Sequence, residues 1–396
     1  MISKMKKLKI FLVAGEPSGD YLGAQLIKAL KKQHQGNLVL KGVGGSLMKK
    51  EGVSADFSLM DIATIGIVEV VSVAFKAIKL LKLTSEAIRK FQPDILITID
   101  VPGFSFRLVK KVKDLRQQGS TKFVHYVSPT VWAYKKERIY YMEKYYDLVL
   151  ALFPFEPKYY EHTKVSCKYI GHPISEYDWT TRTTNNFRQQ HGIHKNKDIL
   201  GIMAGSRSSE VRRMLPIFID AINEFLSKKE RNVIVVFPVI SEETREIITP
   251  FRDKMNFEYL IIKPSSLKEK TDMFKSFSKV IAKSGTSSLE LVFANVPMIV
   301  AYKLNFFSYL LAKYWFRMED NIKFVTMANL LLNKEIIPEY LQSECNSSNL
   351  CKAMQQLYDK DFCNKQLLQY KKVQQMLCNN THLSPSKTAA INILKL

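Results

Sequence analysis

The pattern that most restricts the fold of this chain is a short apolar run, a turn of small residues and a helix start, in that order. Residues 199–215 contain it near the midpoint: the apolar run ends at Ala204, Gly205 supplies the turn, and Ser206 is a residue type favoured at helix N-caps. The free N–H groups of such a helix start attract an anion, and Arg207 adds a full positive charge. By itself, the pattern is equally typical of a connecting loop.

The same order recurs through the sequence. Apolar runs typical of buried strands cover residues 8–14, 38–43, 95–99, 123–127, 148–152, 165–170, 199–203, 233–237, 259–262, 280–282 and 298–301. Helical patterns alternate with them, for example residues 21–32 after the turn 15–20. Strands separated by helices pair in parallel with helices on both faces of the sheet, so the fold class predicted is α/β.

Length and one polar interruption indicate two domains. A chain of 396 residues exceeds the usual size of one core, and residues 178–186 lack apolar periodicity, as linkers do. We therefore predict two doubly wound, Rossmann-like domains facing across a cleft, over residues 1–174 and 175–364. Helical patterns at 347–357, 363–377 and 386–394 end the chain, and residues 365–396 are candidates to pack back on the first domain.

The formal net charge of +22 implies an anionic partner: nucleic acid, an anionic membrane surface or a phosphorylated substrate. A lysine-rich genome would give the same excess without a functional meaning. The five cysteines include no Cys-x-x-Cys pair, which favours free thiols in a reducing cytosol. No apolar run approaches the roughly 18 residues that span a bilayer. We therefore expect a cytoplasmic protein, soluble or peripheral to a membrane.

Ligands of open parallel sheets bind beyond the carboxyl ends of the strands, so the turns after the strands are the candidate sites. Residues 16–20, 100–103, 125–132, 205–207 and 284–290 are the turns with unusual polar content. In the last of these, glycine, threonine and serines lie at a helix start, where backbone N–H groups and hydroxyls can bind a phosphate. Glu290 follows one turn later and is a candidate to hold ribose hydroxyls.

Other chemistries have weaker support. The chain lacks both the Gly-x-x-x-x-Gly-Lys-[Ser/Thr] phosphate loop and the Gly-x-Ser-x-Gly elbow. His125 and Ser128 suggest a hydrolase, but side chains three apart at a strand end point to opposite faces. Asp359 and Asp361 lie between predicted helices, so we predict no metal site and no cofactor. A departing diphosphate would then depend on Arg207 and the helix starts for stabilisation.

Residues 70–89 form a helical pattern with one apolar stripe, made of Val71, Ala74, Phe75, Ile78 and Leu81. Leu80 and Leu83 fall outside this stripe, on the side that carries Lys76, Lys79 and Lys82. Leucines exposed among lysines are typical of binding to an anionic bilayer. A core helix with a solvated basic face explains the pattern equally well.

Taken together, the motifs resemble those of the lipid-A-disaccharide synthases. The matching runs lie at residues 14–20 with 22–24, 66–70, 100–102, 125–133, 153–156, 171–173, 205–207 with Glu210, 284–286 with 289–290, and 329–331. Each run is weak evidence alone, but their combination in this order is specific. The chain departs from many members at Gly103, where a second aspartate is common.

The resemblance implies a GT-B fold in which the second domain binds a sugar nucleotide and the first binds the acceptor. It implies a metal-independent, inverting transfer of 2,3-diacylglucosamine from its UDP derivative to 2,3-diacylglucosamine 1-phosphate, giving a β(1→6) disaccharide and UDP. The expected location is the cytoplasmic face of the inner membrane, as a peripheral protein. A UDP-N-acetylglucosamine 2-epimerase-like enzyme on the same fold is the alternative within enzymes. A nucleic-acid-binding module is a second alternative, disfavoured because the basic residues are scattered and not interleaved with aromatics on one face.

Site residues follow from the turns and from the matching motifs. Asp100, at a strand end, is the predicted general base, with Glu16 and Asp20 as alternatives; a helix N-cap is the competing role for Asp100. The residues predicted to bind UDP are Gly205, Ser206, Arg207, Ser284, Gly285, Thr286, Ser287, Glu290 and Asn329. Those predicted to line the acceptor side are Ser18, Gly19, Glu69, His125, Ser128 and Trp132.

Overall fold

The computed structural model describes residues 7–54, 70–132, 136–179, 184–228, 231–285, 287–304, 323–379 and 383–396, apart from the side chains of residues 70–76, 184 and 185. The chain divides into two compact units. The first comprises Met1–Ser175 and Leu377–Leu396, and the second comprises Glu176–Met376. Each unit contains one six-stranded sheet whose neighbouring strands all pair in parallel. The α/β prediction is confirmed.

The sheet of the first unit has the order β2-β1-β3-β4-β5-β6. Its strands are β1 (Leu8–Ala14), β2 (Leu38–Val43), β3 (Ile95–Ile99), β4 (Lys122–Tyr126), β5 (Leu148–Ala151) and β6 (Ser166–Tyr169). Its helices before the crossing to the second unit are α1 (Pro17–Gln33), α2 (Ser46–Lys50), α3 (Val70–Phe91), α4 (Pro102–Lys111), α5 (Lys113–Gln117) and α6 (Arg138–Tyr145).

The core of the first unit lies on both faces of its sheet. Because successive strand side chains alternate, Ile10 and Leu12 join the cluster that contains Leu26 of α1, whereas Phe11 and Val13 join the one that contains Leu108 of α4. This covering of both faces explains why the strands are continuous apolar runs rather than alternating ones.

The sheet of the second unit has the order β12-β11-β10-β7-β8-β9. Its strands are β7 (Asp198–Met203), β8 (Val233–Pro238), β9 (Tyr259–Ile262), β10 (Lys279–Ala282), β11 (Met298–Tyr302) and β12 (Glu339–Leu341). Its helices are α7 (Thr184–Gln190), α8 (Ser208–Ser227), α9 (Glu242–Ile248), α10 (Leu267–Ser276), α11 (Ser287–Phe293), α12 (Met327–Leu332), α13 (Ser347–Leu357) and α14 (Lys360–Leu377).

The chain returns to the first unit later than position 365. Helix α14 is held in the second unit by Gln366, whose side chain bonds both backbone groups of Met298, and by Gln374, which donates to the carbonyl of Val292. Of residues 365–396, offered by the sequence as candidates for the first unit, 365–376 therefore belong to the second unit and 377–396 to the first. The last helix, α15 (Pro385–Ile393), packs on α1.

The local structure differs from the sequence prediction at the start of α1 and along α3. Helix α1 begins at Pro17 rather than near Tyr21, because proline is well suited to the first position of a helix. On α3, Ile78 is 62% exposed, although it shares the apolar stripe with Leu81, which is buried. Leu80, predicted to be exposed, packs partly buried against the core, and Leu83 is 37% exposed.

No helix within the described ranges is both long enough and apolar enough to cross a membrane.

Candidate active site

The carboxyl ends of three adjacent strands meet in the first unit. The register aligns Ala14 of β1, Ile99 of β3 and Tyr126 of β4 across the sheet. The turns that follow these strands are therefore neighbours. They are also tightly packed, since a side-chain carbon added at Gly15 would lie 3.1 Å from Cγ2 of Val101.

The turn that carries Asp100 has a strained backbone. Asp100 has φ = 53°, and the next residue, Val101, has φ = 45°, in the left-handed region that β-branched residues rarely occupy. Val127, after the neighbouring strand, also has a positive φ of 78°. Hydrogen bonds hold the turn: Asp100 N–H donates to the carbonyl of Tyr126 at 2.9 Å, and Ser105 Oγ donates to the carbonyl of Asp100 at 2.8 Å. Such strain is maintained only where the surroundings determine the conformation, which is typical of functional turns.

Burial raises the pKa of the Asp100 carboxyl above its ordinary value, and a hydrogen bond from the N–H of Val101 partly opposes this rise. Asp100 thus has a fixed backbone and a half-buried carboxylate that binds a proton more readily than a carboxylate in water does. These are the properties required of a general base.

Glu16 and Asp20, the alternative candidates for the base, differ from each other in exposure and in hydrogen bonding. Glu16 is exposed and lies at the N-cap of α1, close to the exposed Ser18. Asp20 is 3% exposed, and its carboxylate accepts the backbone N–H groups of Gly45, Leu47 and Met48 at 2.8 to 3.0 Å. Asp20 therefore fixes the loop after β2, a structural role different from the one predicted. Gly19 is buried because its lack of a side chain lets α1 approach Ala14.

His125 and Ser128, predicted to line the acceptor side, form hydrogen bonds with different partners. His125 is fully buried within β4, Nδ1 lies 2.8 Å from Thr98 Oγ1, and burial lowers the pKa of the imidazole to about 3. Ser128 Oγ lies 2.9 Å from the hydroxyl of Tyr160, so serine and histidine do not form a nucleophile–base pair. His125 consequently belongs to the core and not to a ligand surface, contrary to the prediction.

A buried carboxyl that the prediction did not include follows β5. Glu156 is 2% exposed, and Oε2 accepts the N–H groups of Leu152 and Phe153, both at 2.9 Å. Burial raises the pKa of Glu156 to about 7, although these two bonds oppose the rise. The half-buried Trp132 meets Phe155 edge to face, with ring centroids 5.5 Å apart. The sequence signal was a glutamate directly after an aromatic turn at a strand end.

The second unit contains a cavity of about 300 Å³ at the carboxyl ends of its strands. One wall consists of the small and polar residues that follow β7 and β10, and the opposite wall is mainly apolar. The lining residues are Met203, Gly205, Ser206, Pro238, Val239, Ile240, Pro264, Lys270, Met273, Phe274, Lys283, Ser284, Gly285 and Ser287. Five of the predicted UDP-binding residues are thus brought to one cavity.

The loop after β7 is ordered by Glu210. Gly205 has φ = 140°, and a side-chain carbon there would come within 2.7 Å of Cβ of Glu210. Glu210 Oε2 accepts the N–H of Ser206 at 3.2 Å, and Oε1 pairs with Lys283 Nζ at 2.9 Å. Burial acts to raise the pKa of Glu210, but the hydrogen bond and charge of Lys283, together with the N–H groups of Ser206 and Arg207, lower it overall. Arg207, not Ser206, is the N-cap of α8, and its exposed side chain is not among the lining residues.

A second ion pair joins Lys270, which lines the cavity, to Glu290, which is not among the lining residues. Lys270 Nζ is 2.7 Å from Oε1 of Glu290, which is 8% exposed. Burial raises the pKa of Glu290, while the charge and hydrogen bond of Lys270 act in the opposite direction. Neither Lys270 nor Lys283 was predicted. Lys283 directly follows a strand and so had a sequence signal, whereas Lys270 lies within a helix and had none.

Asn329 is fully engaged inside the second unit. Its side-chain nitrogen donates to the carbonyl of Ile337 and to Glu339, and its oxygen accepts the N–H groups of Ile336 and Ile337, all at 2.8 to 2.9 Å. Asn329 therefore orders the chain before β12 instead of offering a free amide to UDP.

Glu69, Thr286 and the side chain of Lys76 lie outside the described residues. Within the described ranges, no group of three His, Cys, Asp or Glu side chains could hold a metal ion.

Comparison with known proteins identifies relatives over nearly the whole chain. A family model described as Lipid-A-disaccharide synthetase matches residues 10–392. The lipid-A-disaccharide synthase of Rickettsia prowazekii is 37% identical over 384 residues, which cover 96% of this chain and 97% of that protein. The enzyme of Rickettsia felis is 37% identical over 386 residues, covering 96% and 95%.

Solved structures share the fold at low sequence identity. The UDP-GlcNAc 2-epimerase from Neisseria meningitidis bound to UDP-GlcNAc gives a TM-score of 0.67 at 12% identity, covering 99% of this chain and 100% of that chain. A glycosyltransferase from Rickettsia africae gives 0.57 at 15% identity, covering 98% of each chain. Two α/β units, each with a parallel six-stranded sheet, thus define a fold of the GT-B type.

The particular family is decided by sequence, because the likeness to the epimerases is one of fold. This chain belongs to the lipid-A-disaccharide synthase family and is a glycosyltransferase of the hexosyltransferase class.

Proposed function

We propose that the chain transfers 2,3-diacylglucosamine from its UDP derivative to the primary hydroxyl of 2,3-diacylglucosamine 1-phosphate, releasing UDP. Family membership supports the reaction, and the observation that carries the assignment of the donor is the cavity of the second unit. That cavity combines Lys283 with backbone N–H groups, the donors that a diphosphate requires. Its apolar wall is suited to a planar base. The structurally similar epimerase from Neisseria meningitidis was solved with UDP-GlcNAc, which also supports a nucleotide sugar.

In this proposal the donor is held by both walls. The loop Gly205-Ser206, ordered by Glu210, and the turn Ser284-Gly285 bind the diphosphate, together with Ser287 at the start of α11. Thr286, predicted to bind UDP, lies outside the described residues. Lys283 and Arg207 stabilise the negative charge that grows on UDP as it leaves. Glu290 accepts the hydroxyls of the ribose.

Asp100 is the proposed general base. Its carboxylate removes the proton of the acceptor's primary hydroxyl, the oxygen forms a bond to C1 of the donor, and the bond from C1 to the UDP oxygen breaks with inversion. Support comes from the strained turn and the raised pKa of the carboxyl. The three hydrogen bonds of Asp20 argue against it as an alternative, and Glu16, although exposed, lies at a helix N-cap without comparable burial.

The test is incubation of the purified protein with the acylated UDP-sugar and the acylated sugar 1-phosphate. The expected products are one disaccharide 1-phosphate and one UDP for each turnover, identified by mass spectrometry and a UDP assay. Formation of an epimerised UDP-sugar without a disaccharide would contradict the transferase assignment and favour the epimerase-like alternative.

We also propose that α3 contacts the anionic cytoplasmic face of the inner membrane. Ile78 and Leu83 are exposed on this helix together with Lys79 and Lys82. Apolar side chains can enter the bilayer interface while the lysines attract anionic headgroups. Such contact would bring the protein to substrates that carry acyl chains. Salt-sensitive binding to anionic liposomes, without binding to duplex DNA, is the expected result.

A further inference from the structure

Lys270 occupies an unusual position in the cavity of the second unit. It lies on α10, and its ammonium reaches across to Glu290 on α11, with 2.7 Å between Nζ and Oε1. The ammonium also lies 5.5 Å from the ring centroid of Phe274, another lining residue, so the lysine side chain is fixed from two directions. Glu290 is almost completely buried, so water solvates little of its carboxylate.

Glu290 needs a counter-charge to remain ionised. Burial disfavours its charged form, and among the described residues Lys270 supplies the opposing charge. Ser287 on its own helix contributes a side-chain hydrogen bond, and α12, which also packs on α11, contains no ionisable residue. The state of the carboxyl matters because both hydroxyls of a ribose can donate to a carboxylate, whereas a protonated carboxyl uses one oxygen as a donor.

We propose that Lys270 is a positioning residue that holds Glu290 ionised and aimed at the two ribose hydroxyls of a bound nucleoside diphosphate. This inference rests on the proposed function, namely that the cavity binds UDP. Lys270 acts through the carboxylate, and its contribution to binding therefore depends on pH and on the presence of Glu290.

The experiment measures UDP affinity by calorimetry between pH 5.5 and 8.5. Lys270→Met should weaken binding on the order of 10-fold near neutral pH, the effect of losing one charge-assisted interaction. The loss should shrink at higher pH, where Glu290 ionises without help. Lys270→Arg keeps the charge and should restore most of the affinity. Lys268→Met, on the exposed part of the same helix, is the matched control and should behave as the wild type does.

A double-mutant cycle with Glu290→Gln separates the possible outcomes. In the Glu290→Gln background, adding Lys270→Met should cause no further loss, and this double variant also avoids leaving a buried carboxylate unpaired if the single variant folds poorly. An equal loss at every pH that persists in this background would mean that Lys270 contacts UDP directly and would overturn the inference. Wild-type binding with an unaltered pH profile in Lys270→Met would overturn it while leaving the proposed function intact. Failure of the wild type to bind UDP would instead contradict the proposed function.

Discussion

At the carboxyl end of the first sheet, the polar groups are held by strained backbone and buried hydrogen bonds, whereas at that of the second sheet they are held by ion pairs. The Asp100 turn has two successive residues with positive φ and no cation beside its carboxylate in the described structure. The cavity of the second unit instead joins Lys283 to Glu210 and Lys270 to Glu290. A rigid turn suits a group that must meet a hydroxyl in one geometry. Paired charges suit a site where a diphosphate arrives and leaves.

The largest effect is expected from the first of these regions. Asp100→Asn removes the proton acceptor and keeps the shape of the side chain, so the turnover rate should fall by roughly 10²- to 10⁴-fold, as expected for loss of a general base. UDP affinity should remain unchanged, because Asp100 belongs to the acceptor side of the proposal. Glu16→Gln is the matched variant, with near-normal turnover expected. A folded Asp100→Asn enzyme with normal turnover, or an inactive Glu16→Gln enzyme, would move the role of base away from Asp100.

A second prediction concerns stability in the first region. Burial raises the pKa of Glu156 from 4.5 to about 7, so the folded state retains a proton that the unfolded chain has already lost. The free energy of unfolding should therefore fall as pH rises from about 4.5 to about 7, by on the order of 3 kcal/mol. Glu156→Gln removes this dependence and can still accept both backbone N–H groups through one oxygen.

Urea unfolding of the wild type and Glu156→Gln at pH 5 and pH 8 measures this effect. The variant should gain stability relative to the wild type at pH 8 and show little difference at pH 5. Comparing the two proteins removes the contribution of His125 and His172, whose pKa values are lowered by burial and which destabilise the wild type at low pH. An equal difference at both pH values would show that Glu156 is not the titrating group.

A smaller effect is expected in the second region from Arg207. Its side chain is exposed, whereas the loop is ordered by Glu210, so Arg207→Ala should leave the fold intact. The free energy of UDP binding should weaken, and the activation free energy of turnover should rise, by about 1.5 kcal/mol each, the low end for a charged hydrogen bond. Arg212→Ala, an exposed arginine on the same helix, is the control. Unchanged UDP affinity in Arg207→Ala would assign the whole of diphosphate binding to Lys283 and the backbone.

The two regions also differ in what the sequence could predict. The fold followed from apolar runs and turn residues, because strands buried on both faces must be apolar throughout. The turns at Gly205 and Ser284 could also be predicted, because small and polar residues directly after an apolar run are visible in the local sequence. The roles of Asp20, His125 and Asn329 did not, since each depends on partners brought together by tertiary structure: Gly45, Thr98 and Ile337. Lys270 was missed because only the packing of α10 against α11 gives it a carboxylate partner. Strand β12, with three half-buried residues, has too short a pattern to detect.

The smallest effect per residue is expected where neither region is involved, on the exposed face of α3. Replacing Ile78 and Leu83 with serine removes apolar area that could enter a bilayer interface, so partitioning to anionic liposomes should weaken by about 1 kcal/mol for each residue. Leu368→Ser is the control, because Leu368 is also an exposed leucine, 57% accessible, but lies in the second unit. Turnover of short-chain, water-soluble substrates should be unaffected in both proteins, since these residues are separate from both proposed substrate sites. Undiminished liposome binding by the Ile78→Ser, Leu83→Ser protein would remove α3 as the membrane contact and leave its lysines as a solvated face of a core helix.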